Sequence, residues 1–575
     1  MEERDEVLSW LTSSQRRIFP SDMPTNDITY VSGLRNEAIS FFVGYRVLGP
    51  CEINRRLPDR PISVRVHCET LPTSVYKVGY VPCLNTLCED APSGALGGVP
   101  DLLWRRSPCP VLEKAYPHIP FYEVGEQTLL QASALTAGSL CVTLNEAGET
   151  VSAGDHGVSV EVVSLKTGEV LRTHTLTVHV VDALLPESDL LYTNWFHYDC
   201  LADHYGLAVW SPEYEKVLER FLRNAVLHGM NTLLTPAFTP SLDIPVGMER
   251  KNVQLVRVVR ENGKYTFDFS ALARFVRLAQ ACGIRYFEHC PLFSQWGAHC
   301  AINVYGEENG VQRRLFGWDT PADGAEYTDF LQQYLVAFLS FARELRIDKD
   351  VLFHISDEPA EGDIPSYSRA REAVAQILRG QHVGDALSHY ALYEKGVVDL
   401  PIVDIPYADD FDGKCPHFWL YYTGGEPHQE RGYTNRLLTS APWRTRILGT
   451  QLFRYRCGGF LHWGYNYTYG RMSRGRFDPA MEPCAYKDLP GVSYLVYPGA
   501  DRTPCPSLRE KQMCEAMNDY RALKLLETYI GYDATLALCE QVLGVPVSVT
   551  ALPASGEEML ALREAINQRI EEVTG

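Results

Sequence analysis

The chain has 575 residues, of which 45% are hydrophobic and 22% charged, so we expect more than one domain of ordinary globular composition. Its formal charge of -19 opposes binding to nucleic acid or to an anionic membrane, because both would repel it. The 32 tyrosines and 9 tryptophans suit sugar binding, in which aromatic rings stack on the apolar faces of pyranoses, although most rings in any protein belong to the core.

The amino terminus and the cysteines indicate a cellular compartment. Residues 1–6 are too charged for a signal peptide, and no apolar run is long enough to span a bilayer. The 16 cysteines are scattered and form no CxxC motif, so we expect reduced thiols in a cytoplasmic protein. A zinc site from His289, Cys290, His299 and Cys300 is conceivable, but the spacing matches no usual ligand pattern, and we expect no bound metal.

The first part of the chain has the pattern of β-structure. Residues 1–24 are predicted as a helical lead-in and residues 25–185 as a β-sandwich, because short alternating segments are separated by Gly and Pro turns. Two such segments, 158–162 and 176–180, flank the turn at residues 166–169 and predict a hairpin. This region has no catalytic constellation, so we expect a structural or carbohydrate-contacting accessory domain.

From about residue 190 a strand-then-helix pattern repeats. It predicts a (β/α)₈ TIM barrel over residues 190–505, with its active site at the carboxyl ends of the strands. A C-terminal helical segment over residues 506–575 opens with a capping box from Ser507 to Glu510. The eight predicted strands begin at residues 191, 232, 284, 351, 387, 402, 418 and 459, and the fifth covers residues 387–392.

The fourth predicted strand ends in two adjacent carboxylates, Asp357 and Glu358, followed by Pro359. Because Pro359 lacks an N–H donor, the ladder should stop there, and a strand that breaks into a loop can aim both acids into one space. Glycoside cleavage needs such a pair, one group protonated and the other charged. The alternative is a solvated Asp-Glu pair at the start of a helix.

Polar or aromatic residues follow six of the predicted strands, which favours a binding site at this face over core filling. We expect the rings to hold a sugar, although each could instead pack in the core. His197 and Asn466 could bind sugar hydroxyls or satisfy the backbone of a loop. The substrate-binding candidates are Trp195, His197, His289, Tyr393, Tyr422, Trp463, Tyr465 and Asn466, with Trp296 and Trp318 on the long loop after the third strand.

Three motifs in this order resemble glycoside hydrolase family 123 and the broader group called domain of unknown function 4091. They are Phe353-His354-Ile355-Ser356-Asp357-Glu358-Pro359, then Gly459-Phe460-Leu461-His462-Trp463-Gly464-Tyr465-Asn466, and finally Tyr497-Pro498-Gly499 with Ser507-Leu508-Arg509. The resemblance covers roughly residues 190 to 530 and the sandwich in front. It implies a β-sandwich followed by a barrel, and an exo-acting β-N-acetylgalactosaminidase that retains configuration.

The resemblance also implies a substrate-assisted mechanism, in which the 2-acetamido carbonyl of the sugar attacks the anomeric carbon and forms an oxazoline. Glu358 would be the general acid and then the base, with a pKa raised by its charged neighbour and by burial. Asp357 would hold the acetamido N–H and stabilise the developing positive charge. No cofactor is implied, and the partner is an oligosaccharide or glycoconjugate.

Two alternatives stay open. The chain could be a glycosidase of the same fold for a different sugar, in which case Asp357 would need another role, or a non-catalytic carbohydrate-binding barrel. The natural glycan and the oligomeric state, including a homodimer, are also left open. A Ser-His-Asp hydrolase and a nucleotide-binding protein are disfavoured, because the chain has neither a G-x-S-x-G elbow nor a phosphate-binding loop.

Overall fold

The computed structural model describes residues 6–48, 60–83, 98–104, 127–424, 433–486 and 489–575. Two β-sheets come first, then a closed barrel of eight parallel strands, and then a group of helices. The predicted N-terminal β-sheet domain and eight-stranded barrel are therefore confirmed. In the described part of the chain, no helix combines the length and the apolar composition needed to cross a bilayer.

The N-terminal domain consists of two five-stranded sheets, with strand orders β1-β3-β8-β5-β6 and β2-β10-β9-β4-β7. Inward-facing side chains of both sheets, such as Val43 and Val160, meet in one buried apolar cluster. The predicted hairpin is confirmed as β9 and β10, which pair antiparallel. The strands are β1 (Glu6–Ser13), β2 (Tyr30–Leu34), β3 (Ile39–Leu48), β4 (Arg60–His67), β5 (Thr73–Val81), β6 (Val99–Trp104), β7 (Gln127–Ala132), β8 (Gly138–Leu144), β9 (Gly154–Ser164) and β10 (Val170–Val181).

The predicted helical lead-in is wrong for the described residues of that segment. Strand β1 pairs antiparallel with β3 along its whole length. This pairing buries Val7 and Leu11 in the core of the two sheets. Trp10 covers Gly44, where a Cβ would lie 2.3 Å from the indole ring. Because the partner strand is about 35 residues away, local sequence could not reveal the pairing.

The barrel closes because its first strand, β11, pairs in parallel with its last, β22. A four-stranded sheet, β14-β13-β16-β17, is built from the segments that follow the second and third barrel strands. The barrel strands are β11 (Leu191–Asn194), β12 (Thr232–Thr235), β15 (Tyr286–His289), β18 (Val351–Phe353), β19 (His382–Leu387), β20 (Leu400–Asp404), β21 (Trp419–Tyr422) and β22 (Gly459–His462). The other strands are β13 (Arg257–Glu261), β14 (Lys264–Asp268), β16 (Val304–Glu308), β17 (Val311–Phe316), β23 (Tyr469–Gly470), β24 (Arg474–Arg476), β25 (Tyr497–Pro498) and β26 (Pro504–Cys505).

Helices alternate with the barrel strands and extend beyond them. The helix that begins at Pro212 is capped by Ser211, whose side chain accepts a hydrogen bond from the Tyr214 N–H at 3.2 Å. The helices are α1 (Tyr198–Tyr205), α2 (Pro212–Leu227), α3 (Ser270–Cys282), α4 (Ala325–Leu345), α5 (Ile364–Ala375), α6 (Tyr390–Glu394), α7 (Ala408–Phe411), α8 (Pro442–Arg446), α9 (Leu448–Arg454), α10 (Leu508–Ile530), α11 (Tyr532–Leu543) and α12 (Gly556–Thr574). Short 3₁₀ turns lie at Glu361–Asp363, Ile405–Tyr407 and Arg471–Ser473.

The fifth barrel strand was predicted too late in the chain. Residues 387–392 were expected to form it, but β19 ends at Leu387 and α6 begins at Tyr390. Gly384 and Asp385 interrupt the apolar pattern of the true strand, which hid it. Asp385 is nevertheless fully buried, because it accepts hydrogen bonds from the neighbouring chain segment.

Period-two alternation separates the barrel interior from its outer face. One residue of each neighbouring pair lies in the interior and the next contacts the surrounding helices. The interior cluster contains Trp195, Leu234, Leu352, Ala386, Ile402, Tyr421 and Leu461. The outer cluster contains Leu233, Phe353, Leu387, Val403, Tyr422 and Phe460.

Helix α10 joins the two parts of the molecule. Its N-cap Ser507 accepts a hydrogen bond from the Glu510 N–H at 3.0 Å. Two residues after the N-cap, Arg509 donates through Nε to the Asp101 carboxylate of β6 at 3.0 Å, and both side chains are fully buried. Arg509 also donates to the Gly491 carbonyl at 2.6 Å. The ion pair is therefore hydrogen-bonded on several sides, which offsets the cost of burying its charges.

Replacing Asp101 by Ala is expected to lower the midpoint of thermal unfolding, because the Arg509 guanidinium would stay buried without its carboxylate. The loss corresponds to about 3–5 kcal/mol. The matched control is Asp182→Ala, which breaks an exposed pair with Arg35 and should change the midpoint little. Equal midpoints for the two variants, measured by scanning calorimetry, would contradict a role for the buried pair.

Candidate active site

A cavity opens at the carboxyl ends of the barrel strands. Asp357 and Glu358 both line it, so the sequence correctly placed the acidic pair at the barrel mouth. A wider depression on the N-terminal sheets, beside His67 and Glu161, has no comparable combination of acidic and aromatic groups. Further lining residues are Trp195, His197, Asp243, Gln295, Trp296, Tyr421, Trp463, Arg471, Met472 and Tyr486.

The backbone before the acidic pair is held by the neighbouring strand. Strand β18 ends at Phe353, so the next N–H groups have no ladder partner. The Asp385 carboxylate accepts from the Ile355 N–H at 3.1 Å and from the Ser356 N–H at 3.4 Å. These bonds fix the direction in which the chain leaves the barrel and enters the cavity.

Glu358 lies in the left-handed region, with φ +43°. A non-glycine residue in this conformation is strained and persists only when its surroundings hold it, which is common at active sites. One restraint is the hydrogen bond from the Trp296 N–H to the Asp357 carbonyl at 2.8 Å. Another is the Tyr421 hydroxyl, which donates to Glu358 Oε1 at 2.8 Å. The strained turn therefore lets two adjacent side chains reach the same cavity.

The two acids influence each other electrostatically. Burial, followed by the charges of Glu358 and Asp385, raises the pKa of Asp357 well above its usual range. Because the Glu358 charge is one of these causes, ionisation of one carboxylate opposes ionisation of the other. Burial, followed by the charges of Glu358 and Asp404, also raises the pKa of Tyr421, so its hydroxyl stays a hydrogen-bond donor. The pair can therefore offer one proton and one negative charge together.

A buried histidine lies beneath the pair. His354 Nδ1 lies 2.6 Å from the Gly384 carbonyl, and Nε2 lies 3.0 Å from the Glu288 carboxylate. Both ring nitrogens therefore face acceptors, as an imidazolium requires. Although burial disfavours the charged ring, hydrogen bonds to Asp385 and Glu288 raise the pKa of His354 to about 10. The ring therefore places a positive charge beneath Asp357 and lowers the pKa of that acid.

The aromatic walls are positioned by hydrogen bonds to their polar edges. Trp195 Nε1 donates to Glu288 at 3.0 Å, and Trp463 Nε1 donates to the Thr423 carbonyl at 3.1 Å. Trp296 is 37% exposed and forms an outer wall of the cavity. Three of the predicted rings therefore line the cavity, and hydrogen bonds fix the orientations of Trp195 and Trp463.

His197 also lines the cavity, and its nitrogens are occupied by protein groups. Nε2 donates to the Trp463 carbonyl at 2.8 Å, and Nδ1 accepts from Arg250 at 3.1 Å. Burial and the Arg250 charge lower the pKa of His197 to about 3. The ring is therefore neutral and shapes the wall of the cavity.

Three predicted substrate-binding residues lie on the wrong side of the barrel wall. His289 and Tyr422 follow an inward-facing neighbour and therefore point outward. His289 bonds Tyr334 at 2.7 Å, and Tyr422 bonds Thr434 at 2.9 Å. Tyr465 is 1% exposed and donates to Glu510 at 3.1 Å. These predictions are corrected, since all three side chains are part of the packed core.

Three more candidates lie outside the cavity. Tyr393 is on α6, because the fifth strand ends earlier than predicted, and it packs against Phe411. Trp318 donates to the Met248 carbonyl at 2.9 Å. Asn466 holds the backbone of His197 through bonds of 2.8 and 3.1 Å, the structural role that the sequence left open.

Sequence reasoning missed several residues of the site. Tyr421 lies beside Tyr422 in strand β21, and the two residue types give no signal that Tyr421 is the one that faces inward. Asp385 was hidden by the misplaced fifth strand. Asp243, at φ +49° in the segment after β12, gives no local signal in the sequence.

Among the described residues, no three or more His, Cys, Asp or Glu side chains are arranged to hold a metal ion. The conceivable zinc site is not assembled. His289 Nε2 is hydrogen-bonded to the Tyr334 hydroxyl, and its Nδ1 lies 2.6 Å from the Cys290 carbonyl. His299 instead lies 3.0 Å from Asp363.

A model of the catalytic domain of glycoside hydrolase 123 matches residues 195–526, the segment that contains the barrel strands after β11 and most of α10. The chain belongs to glycoside hydrolase family 123. It is therefore a glycosidase by family. No curated protein sequence matches the chain.

A solved structure shares the architecture. A family 123 glycoside hydrolase from Clostridium perfringens, studied for glycolipid glycan hydrolysis, has a TM-score of 0.68 at 14% identity, over 99% of this chain and 97% of that one. At this identity the similarity establishes a common fold. A family 39 glycoside hydrolase from Bacteroides cellulosilyticus is much less similar, with a TM-score of 0.32 at 9% identity, over 85% of this chain and 81% of that one.

Replacing His354 by Gln is expected to move the acidic limb of the kcat/KM–pH profile to higher pH. The substitution removes the positive charge that lowers the pKa of Asp357, so a higher pH is needed to ionise the pair. His289→Gln is the matched control, because burial lowers the pKa of that ring to about 4 and the residue is neutral throughout the range. A limb that stays in place or moves downward would contradict this role of His354.

Proposed function

We propose that the protein is an exo-acting β-N-acetylgalactosaminidase that retains configuration and uses the 2-acetamido oxygen of its substrate as the nucleophile. The observation that carries the proposal is the adjacency of Asp357 and Glu358 in one cavity. Neighbouring side chains act on neighbouring parts of one sugar. Ordinary retaining enzymes instead need a carboxylate nucleophile on the opposite side of the ring from the acid.

The other carboxylate that lines the cavity, Asp243, is committed to protein donors. Its Oδ2 accepts from the Tyr467 hydroxyl at 2.6 Å and from the Met472 N–H at 3.0 Å. Its Oδ1 accepts from the Tyr486 hydroxyl at 3.1 Å. A carboxylate with this many donors is stabilised in place and is a poor nucleophile. This arrangement supports attack by the substrate's own acetamido group.

In the proposed reaction the acidic pair begins with one shared proton. The acetamido N–H donates to Asp357, which favours its ionised form and leaves the proton on Glu358. Glu358 protonates the glycosidic oxygen while the acetamido oxygen attacks the anomeric carbon, so the bond to the aglycone breaks and an oxazoline forms. Glu358 then removes a proton from water, which opens the oxazoline with net retention.

Family membership supports the reaction class, and the resemblance of the three motifs supports N-acetylgalactosamine as the sugar. The Clostridium perfringens enzyme was studied with glycolipid glycans, which suggests glycoconjugates as substrates here. The walls formed by Trp195, Trp296 and Trp463 suit a pyranose ring, because their faces are apolar, and the edges of Trp195 and Trp463 are held by hydrogen bonds.

Glu358→Gln is expected to lower kcat for an aryl β-N-acetylgalactosaminide by about 10²–10⁴-fold, because the general acid and base is lost. Binding of the substrate, measured by calorimetry, should persist. Azide should restore part of the turnover by replacing the water that needs a base. The matched control is Glu361→Gln, an exposed acid three residues further along the chain that does not line the cavity. Equal activity of the two variants would overturn the assignment of Glu358.

Comparison of aryl glycosides tests the nucleophile. The β-N-acetylgalactosaminide should be hydrolysed, whereas the β-galactoside, which lacks the acetamido group, should be inert. The β-N-acetylglucosaminide keeps the nucleophile and changes one hydroxyl, so it measures sugar preference separately. Comparable kcat/KM values for the galactoside and the N-acetylgalactosaminide would show that the nucleophile belongs to the protein.

A further inference from the structure

A short turn at the cavity mouth presents a positive charge to the substrate side. The turn Arg471–Ser473 connects β23 to β24, and Arg471 and Met472 both line the cavity. Arg471 is exposed to solvent at this rim. Neither the family assignment nor the proposed reaction gives this arginine a role.

The position of the turn is fixed by its contacts with Asp243. Met472 and Ser473 both have left-handed backbone conformations, with φ +59° and +53°. Two consecutive strained residues persist only when other interactions hold them. The Asp243 carboxylate accepts from the Met472 N–H at 3.0 Å, and the Asp243 carbonyl accepts from the Ser473 hydroxyl at 2.8 Å. These hydrogen bonds therefore fix the turn, and with it the position of Arg471 at the mouth of the cavity.

Arg471 has no ion-pair or hydrogen-bond partner among the described residues, although Asp243, Asp357 and Glu358 line the same cavity. By contrast, Arg250, which lies behind His197, has a carboxylate partner: it donates through Nε to Asp199 at 2.7 Å. Since His197 is neutral, Arg471 is the one permanent cation among the described lining residues. Its five N–H donors face the space that a glycan would enter.

We propose that Arg471 binds an anionic group of the glycan, either a sulfate on the sugar or the carboxylate of a neighbouring acidic sugar. The inference rests on the proposed glycosidase function and narrows its substrate class to acidic glycans. A guanidinium binds sulfate and carboxylate oxygens through paired, charge-assisted hydrogen bonds. The three cavity acids and the chain's net charge of -19 repel an anion, so an acidic substrate requires a local cation at this place.

The test compares aryl β-N-acetylgalactosaminide with its 4-O-sulfate and 6-O-sulfate, and with an oligosaccharide in which sialic acid is attached to the sugar next to N-acetylgalactosamine. The wild-type protein should prefer at least one anionic substrate over its neutral parent. Arg471→Gln should lower that preference by about tenfold or more, as expected for the loss of charge-assisted hydrogen bonds. The sulfated and sialylated substrates distinguish the two sources of the anion. Arg474→Gln is the matched control, since Arg474 is an exposed arginine on the adjoining strand and does not line the cavity.

Binding of the same compounds to Glu358→Gln protein, measured by calorimetry, gives the comparison without turnover. If the proposed reaction does not take place, the preference for anionic compounds can therefore still be measured as binding. The inference is overturned if the wild-type protein prefers the neutral compound in every pair. It is equally overturned if Arg471→Gln weakens the binding of neutral and anionic compounds to the same extent, since Arg471 would then bind a hydroxyl of the neutral sugar.

Discussion

The candidate active site depends on the buried Asp385 carboxylate, which accepts hydrogen bonds from backbone N–H groups where the β-ladder ends. When β18 ends at Phe353, the following N–H groups would be buried without partners, at a cost that proteins rarely tolerate. Asp385 accepts from two of these groups, and the charge that this brings into the barrel is balanced by His354. The turn that carries Asp357 and Glu358 into the cavity is built on this interaction.

Positive and negative groups alternate through the site, from Glu288 and Asp385 around His354 to the acidic pair above them. The aromatic wall is part of the same network, because Glu288 also accepts from Trp195. On the opposite side, Asp243 orders the turn that carries Arg471. The aromatic lining of the cavity, the acidic pair and the structural carboxylates are thus connected by hydrogen bonds and ion pairs.

Local sequence predicted the barrel, the acidic pair and three aromatic walls, because strand periodicity and the Asp-Glu-Pro break are encoded within a few residues. It failed where long-range contacts decide the outcome. Strand β1 depends on pairing with β3, and β19 depends on a buried Asp385 whose partners lie about 30 residues away. His289 and Tyr422 were misassigned because a strand's residue types do not reveal which alternate position faces inward.

In the proposed reaction the sugar's acetamido oxygen, with Asp357 and Glu358 beside it, displaces the aglycone from the anomeric carbon. The most direct measurement is inhibition by N-acetylgalactosamine-thiazoline, which mimics the bicyclic intermediate. The thiazoline should inhibit competitively. Asp357→Asn should weaken the inhibition, because Asp357 holds the nitrogen of the inhibitor's thiazoline ring. Absence of inhibition, together with covalent labelling of Asp243 by a 2-deoxy-2-fluoro galactosyl fluoride, would contradict the proposed reaction.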